Sequence, residues 1–168
     1  MKKKKKEIIE YIVLIIVILL IRTYLFVPIM VSGNSMVPTL NNGDVMILNK
    51  FKYLVNDIKR FDIVVVDYEN EYIIKRVIGL PGDYIEYKND ILYVNSKKVE
   101  ENYNREFTDD FDLNDLNKEI IPNNYYLVLG DNRPISKDSR KIGLIDKKNI
   151  KGSTNFVLFP FSRFGKVI

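Results

Sequence analysis

The chain has 168 residues, 26 of them Lys or Arg and 22 Asp or Glu, and contains neither cysteine nor histidine. These absences exclude disulfides, thiolate nucleophiles, a Ser-His-Asp triad, a Cys-His pair and the usual zinc sites, so a hydrolase of this composition must draw its general base from Lys, Asp, Glu or an unusual Tyr. The net charge of +4 lies within residues 1–31, which hold six bases and two acids; the other residues carry 20 of each, without the basic surface that nucleic-acid binding requires.

In chain order, Lys2–Lys6 precede an apolar run from Tyr11 to Ile21, which Arg22 and Thr23 interrupt and Tyr24–Val27 resume before Pro28. Two readings compete. One is a cleavable signal peptide, with Val31-Ser32-Gly33 as the small residues before a cut. The other is a transmembrane helix over 8–27, about 20 residues rising 1.5 Å each across a core of about 30 Å. Length favours the anchor. Glu10 and Arg22 would then lie near opposite interfaces, with Arg22 snorkelling and Tyr11 and Tyr24 settled at the headgroups. The lysines place residues 1–7 in the cytoplasm as a basic tail and residues 28–168 on the extracytoplasmic side of the cell membrane.

Past Val31 the pattern is mostly β. Strands are expected at 44–48, after the Asn-Asn-Gly turn, at 61–66, a β-branched run with the character of a buried strand, and at 71–78. Gly79-Leu80-Pro81-Gly82-Asp83 is a strong turn. Segments 84–87 and 91–94 flank Asn89-Asp90 as a hairpin, and 94–99 holds a second tight turn. Residues 100–120 are polar and acidic and read as an exposed insertion with one short helix near 113–118. Asp109, Asp110, Asp112 and Asp115 lack the Gly and closing Glu of an EF-hand loop, so solvation is expected of them rather than a metal. Further strands are expected at 125–129 and 154–158, without a repeat or an interdomain linker.

Two residues invite chemistry. Ser35 sits between Gly33-Asn34 and Pro38, a setting in which a backbone N–H could face a developing oxyanion. Met36 beside it is either core or a residue dipping into lipid. Lys75 shares a strand face with Ile73 and Val77. It is either a solvated edge residue or a partly buried amine whose pKa falls into the range of a general base. Most lysines and serines are solvated, and each residue alone favours the ordinary reading.

The order of four motifs changes that balance. Ser35-Met36-Val37-Pro38-Thr39-Leu40 resembles the nucleophile motif of the type I signal peptidases, the membrane-anchored Ser-Lys proteases. Arg60-Phe61-Asp62-Ile63-Val64-Val65 resembles their next box, and Lys75-Arg76-Val77-Ile78-Gly79-Leu80-Pro81-Gly82-Asp83 the box with the catalytic lysine. Gly130-Asp131-Asn132-Arg133, with Ser136, Asp138, Ser139 and Arg140, resembles the last. The likeness covers nearly the whole chain except residues 100–120. Three positions depart from it: Phe61 stands where the family often has Gly, Pro134 and Ile135 replace residues polar in many relatives, and Gly33 replaces a serine that assists the oxyanion hole in some.

The resemblance implies a mostly β, coiled antiparallel fold behind one transmembrane helix. It implies a serine endopeptidase that removes signal peptides from exported preproteins with Ser35 as nucleophile and Lys75 as base, without cofactor or metal. Ser136 would orient Lys75, Asp138 and Arg140 would pair to hold that loop, and Arg76 would support it. Gly33, Met36 and Pro38 would belong to the oxyanion hole or substrate groove. The substrate would lie extended against a sheet edge, with small residues at the first and third positions before the cut. Expected partners are preproteins and the lipid bilayer, not nucleic acid, and the chain is expected to act as a monomer. A self-cleaving LexA-like repressor and a secreted or tethered β-sheet binding module remain as other readings.

Overall fold

The structure, a computed structural model, describes residues 2–167, with side chains left undescribed at 2, 3 and 21–24. Helix α1 spans Lys2–Leu25 and passes without a linker into strand β1, Phe26–Met30. Its apolar side chains are exposed, as at Ile8, Ile12, Leu14 and Leu20. Among the described residues no helix is long and apolar enough to cross a membrane. The expected interfacial seats of Arg22 and Tyr24 fall on side chains outside the description.

The body is antiparallel β, as expected. β2 (Val45–Asn49) pairs with β1; the short α2 (Lys52–Val55) follows, then β3 (Ile63–Tyr68) and β4 (Glu71–Gly79), which form a long hairpin. A second, smaller sheet comprises β5 (Ile85–Lys88), β6 (Ile91–Val94), β7 (Lys97–Val99) and β8 (Phe111–Asp112) in the order β7-β6-β5-β8. The chain then returns to the large sheet through β9 (Tyr125–Leu129), α3 (Ser139–Ile142), β10 (Ile145–Asp146), β11 (Ile150–Ser153), β12 (Phe156–Phe159) and β13 (Gly165–Lys166). That sheet runs β10-β9-β4-β3-β11-β2-β12-β13, with β1 against β2.

The apolar run in β3 reflects burial on both faces. Ile63 and Val65 join Val31, Met36, Leu40 and Met46 on one side, while Val64 and Val66 join Val77, Val128 and Ile145 on the other. A third cluster, including Ile78, Leu127, Ile85, Leu92 and Leu113, fastens the small sheet to β4 and β9.

The segment 100–120 is not the loosely attached loop that its polarity suggests. Phe111 and Leu113 are buried in that third cluster, and Thr108 is fully enclosed. Three of its acids are occupied locally: Asp112 and Asp115 form a capping box on a 3-10 turn at Leu113–Leu116, and Asp110 accepts the Asn89 N–H.

Candidate active site

The nucleophile segment is a tight turn over the second core cluster. Gly33 has φ +86°, a left-handed conformation that a residue without Cβ adopts readily. Its N–H donates to Asn42 Oδ1 at 2.9 Å, so this donor is already committed. Met36, 1 % exposed, and Leu40 are driven into the core on either side of a turn closed by Leu40 N–H to Met36 C=O. These anchors fix the turn that presents Ser35. Met36 is therefore core, and its side chain is not a groove or lipid-facing group. Pro38 lies away from the cleft, beside a separate hollow with Thr39, Tyr103 and Asn104.

Lys75 comes from the middle of β4, directly opposite Val64 on β3. It is 3 % exposed, and its Nζ donates to Ser35 Oγ at 2.7 Å. Burial lowers the amine pKa from 10.5 to about 8, against the opposing pull of the Asp138 and Asp131 carboxylates. An amine in this range has a usable neutral fraction near neutrality, and the serine it would deprotonate is in hydrogen-bond contact with it. The buried reading of Lys75 prevails, its amine being enclosed against the turn that carries Ser35.

The loop after β9 closes the site from above. Asn132 N–H donates to the Ser35 carbonyl at 3.0 Å. Asp138, fully buried, accepts from Gly130 N–H at 3.0 Å and from Arg140 Nε at 2.9 Å and Nη2 at 2.8 Å. Arg140 Nη2 also donates to the Arg133 carbonyl at 2.7 Å. The Asp138–Arg140 pair is thus an internal clamp on the loop. Ser136 is buried beside it, yet its Oγ has no hydrogen-bond partner among the described residues. The expected bond from Ser136 to Lys75 is not formed in this geometry.

Arg76, next to Lys75, points to the opposite face of β4. Its Nε and Nη2 grip Asp131 at 2.9 and 2.6 Å, both side chains buried, and Nη1 donates to the Phe61 carbonyl at 3.1 Å. The Tyr103 ring stacks 3.8 Å from the guanidinium, and Thr39 Oγ1 donates to Asp131 at 2.6 Å. Asp131 therefore links three segments of the site: the nucleophile turn through Thr39, the lysine strand through Arg76, and its own loop. Arg133, 1 % exposed, extends this framework to Glu101 at 2.8 Å and Tyr103 at 3.0 Å.

Residues 5–159 match a family described as Signal peptidase, peptidase S26. The chain belongs to this family. A signal peptidase I of Bacillus amyloliquefaciens is 44% identical over 154 residues, covering 88% of this chain and 83% of that protein. Signal peptidase IB of Staphylococcus aureus is 41% identical over 160 residues, with coverage of 86% and 84%. The crystal structure of a signal peptidase I from Enterococcus faecalis superposes with a TM-score of 0.55 at 34% identity, over 59% of this chain and 97% of that one.

Among the supporting residues, the sequence does not single out Asp131, Thr39, Glu101 or Tyr103 as site residues. Asp131 stands within one of the four motifs, and an acid beside a turn glycine is the signal that could have found it. Glu101 and Tyr103 lie in a polar stretch whose burial depends on Arg133, a partner remote in sequence, so no local pattern marks them.

Proposed function

We propose that Ser35 and Lys75 are the catalytic dyad with which this member of the signal peptidase family removes signal peptides from exported preproteins. The observation that carries the reading is the buried Lys75 amine, depressed to about 8 and bonded to Ser35 Oγ at 2.7 Å. Neutral Lys75 takes the Ser35 proton as Oγ attacks the scissile carbonyl. The same amine returns the proton to the leaving amine, then activates the water that hydrolyses the acyl-enzyme. Ser35 N–H, which has no acceptor among the described residues, is one oxyanion donor.

The substrate lies extended in a cleft of about 420 Å³ that runs from Ser35 and Lys75 past Ile73, Ile135 and Ile142. Two features support this placement. Residues 71–75 of β4 extend beyond its pairing with β9, which reaches only to Arg76, and so offer a sheet edge for an added strand. Ile73 is two residues from Lys75 on the same face, which matches small side chains at the first and third positions before the cut.

Residues 8–27 form the membrane anchor in this reading, with 1–7 cytoplasmic and 28–168 extracytoplasmic. The lysine-led apolar run and the direct junction of α1 with β1 support it. Anchoring raises the effective concentration of a substrate held in the same bilayer. The test is cleavage of a preprotein in proteoliposomes. Ser35→Ala and Lys75→Met should each abolish it, and full activity in either would overturn the dyad. Acylation of Ser35 by a β-lactam-type inhibitor separates this enzyme from a binding module.

A further inference from the structure

The cleft continues past the dyad to a part that signal-peptide cleavage in general does not explain. Glu71, Ile73 and Lys75 alternate along β4, and all three line it. At about 3.3 Å per residue, Glu71 stands about 13 Å from the level of Lys75. The neighbouring rim acid, Glu69, is paired with Lys137 at 3.6 Å across the mouth. Glu71 is exposed and has no ion-pair partner among the described residues. It is a free carboxylate at the outer end of a substrate groove.

We propose that Glu71 is a specificity-determining residue that reads the charge of the fifth substrate residue before the cut, favouring a basic side chain over an acidic one. The inference rests on the function proposed above, which sets the register. The residue whose carbonyl is attacked must be level with Ser35 and Lys75. A strand added beside β4 keeps the same rise and the same alternation, so side chains at equal levels face the same way. The first residue before the cut is then level with Lys75, the third with Ile73 and the fifth with Glu71. The second and fourth face away.

Direction along the cleft follows from the chain. Ser32, Gly33 and Asn34 line the same cleft and lead back through β1 to α1, and β9 already occupies the β4 edge from Arg76 onward, which leaves the 71–75 end open. The portion of the substrate before the cut is its membrane-seated part, so it runs toward that end. The fifth residue therefore passes Glu71 as the substrate leaves for the bilayer. The Lys137 amine is paired with Glu69 and lies 5.1 Å from the Tyr68 ring rather than in an ion pair with Glu71.

The test uses the full-length protein in detergent or proteoliposomes and three peptide substrates that differ only at the fifth residue before the cut, Lys, Gln or Glu. At low ionic strength kcat/KM should fall in that order, with Lys over Glu by about fivefold, the scale of one solvent-exposed ion pair. The difference should vanish at about 1 M salt, where the Debye length is about 3 Å. Glu71→Gln should level the series and Glu71→Lys should invert it, each rate being read relative to the Gln peptide in the same variant. Equal rates for the three peptides, or the original order retained in Glu71→Lys, overturn the assignment while leaving the protease intact. Failure to cleave even the Gln peptide overturns the proposed function and this inference together.

Discussion

Gly130 sits directly over the backbone carbonyl of Ser35. A Cβ built on it would collide with that oxygen and with Ser136 Oγ. The glycine is therefore required by close approach: it lets the loop bearing Asn132, Ser136 and Asp138 lie flat on the nucleophile turn. Its own N–H is held by Asp138, and the next contact, Asn132 N–H to the Ser35 carbonyl, fixes the Ser35–Met36 peptide from the same side.

Gly130→Ala should accordingly push the loop off Ser35. We expect kcat/KM to fall on the order of 100-fold, the effect of displacing a reacting group by about 1 Å. Overpacking should also cost about 1–3 kcal/mol of stability. Peptide cleavage and urea unfolding measure the two effects. Wild-type activity in this variant would show that the loop contact does not position the nucleophile.

The Lys75 amine ties both activity and stability to pH through one group. Activity needs the neutral form, so kcat/KM should rise with pH through about 8. For stability, the folded pKa lies below the ordinary 10.5. Below pH 8 the amine is charged in both states and the folded protein bears the full burial penalty. That penalty shrinks as pH rises from about 8 to 10.5. Lys75→Met, which removes it, should be inactive yet more stable than wild type at pH 7 by up to about 3 kcal/mol. The gap should narrow in urea titrations at pH 10; a variant less stable at both pH values would contradict the depressed amine.

The strand content can be read from the chain because its signals are local, whereas Ser35 and Lys75 stand out only through the order of four motifs along it. The 63–66 run is apolar and β-branched since both faces of β3 are covered, and the 85–94 hairpin is marked by its Asn-Asp turn, whose two residues have positive φ. What escapes depends on contacts between distant segments. Met36 and Pro38 closely follow Ser35 in sequence, but the turn sends one into the core and the other to a different hollow. The polar segment 100–120 reads as solvated because, beside Phe111 and Leu113, groups it encloses such as the Glu101 carboxylate and Thr108 are polar and are satisfied by Arg133. Composition alone cannot distinguish a buried carboxylate with such a partner from one facing water.

The Arg76–Asp131 pair should be sensitive to loss of either member. Both side chains are almost wholly buried, so Asp131→Asn takes the Asp131 charge away from a buried guanidinium and should cost about 3–5 kcal/mol. A second effect has a defined sign. Asp131 is one of the two carboxylates that raise the Lys75 pKa against burial. Its neutralisation lets that pKa fall further, so the acid limb of the kcat/KM profile should move to lower pH in the folded variant. Thermal unfolding and a pH–rate profile measure these separately. A limb that stays in place would remove Asp131 from the electrostatics of the amine.

Phe61 explains the departure from glycine in its motif. Its φ is +71°, a left-handed conformation that glycine tolerates and a side chain resists. The phenyl ring is kept because it packs against Tyr103, with centroids 5.4 Å apart, and Tyr103 in turn covers Arg76. The strain of a left-handed L-residue is about 1–2 kcal/mol, and an aromatic pair offsets about 0.5–1.5 kcal/mol. Removing the ring should therefore matter less when the strain goes with it. Phe61→Gly should be more stable than Phe61→Ala by about 1–2 kcal/mol, the reverse of the order glycine and alanine show within helices and strands. Urea midpoints of the two variants decide the point, and alanine proving the better replacement would place the left-handed turn in doubt.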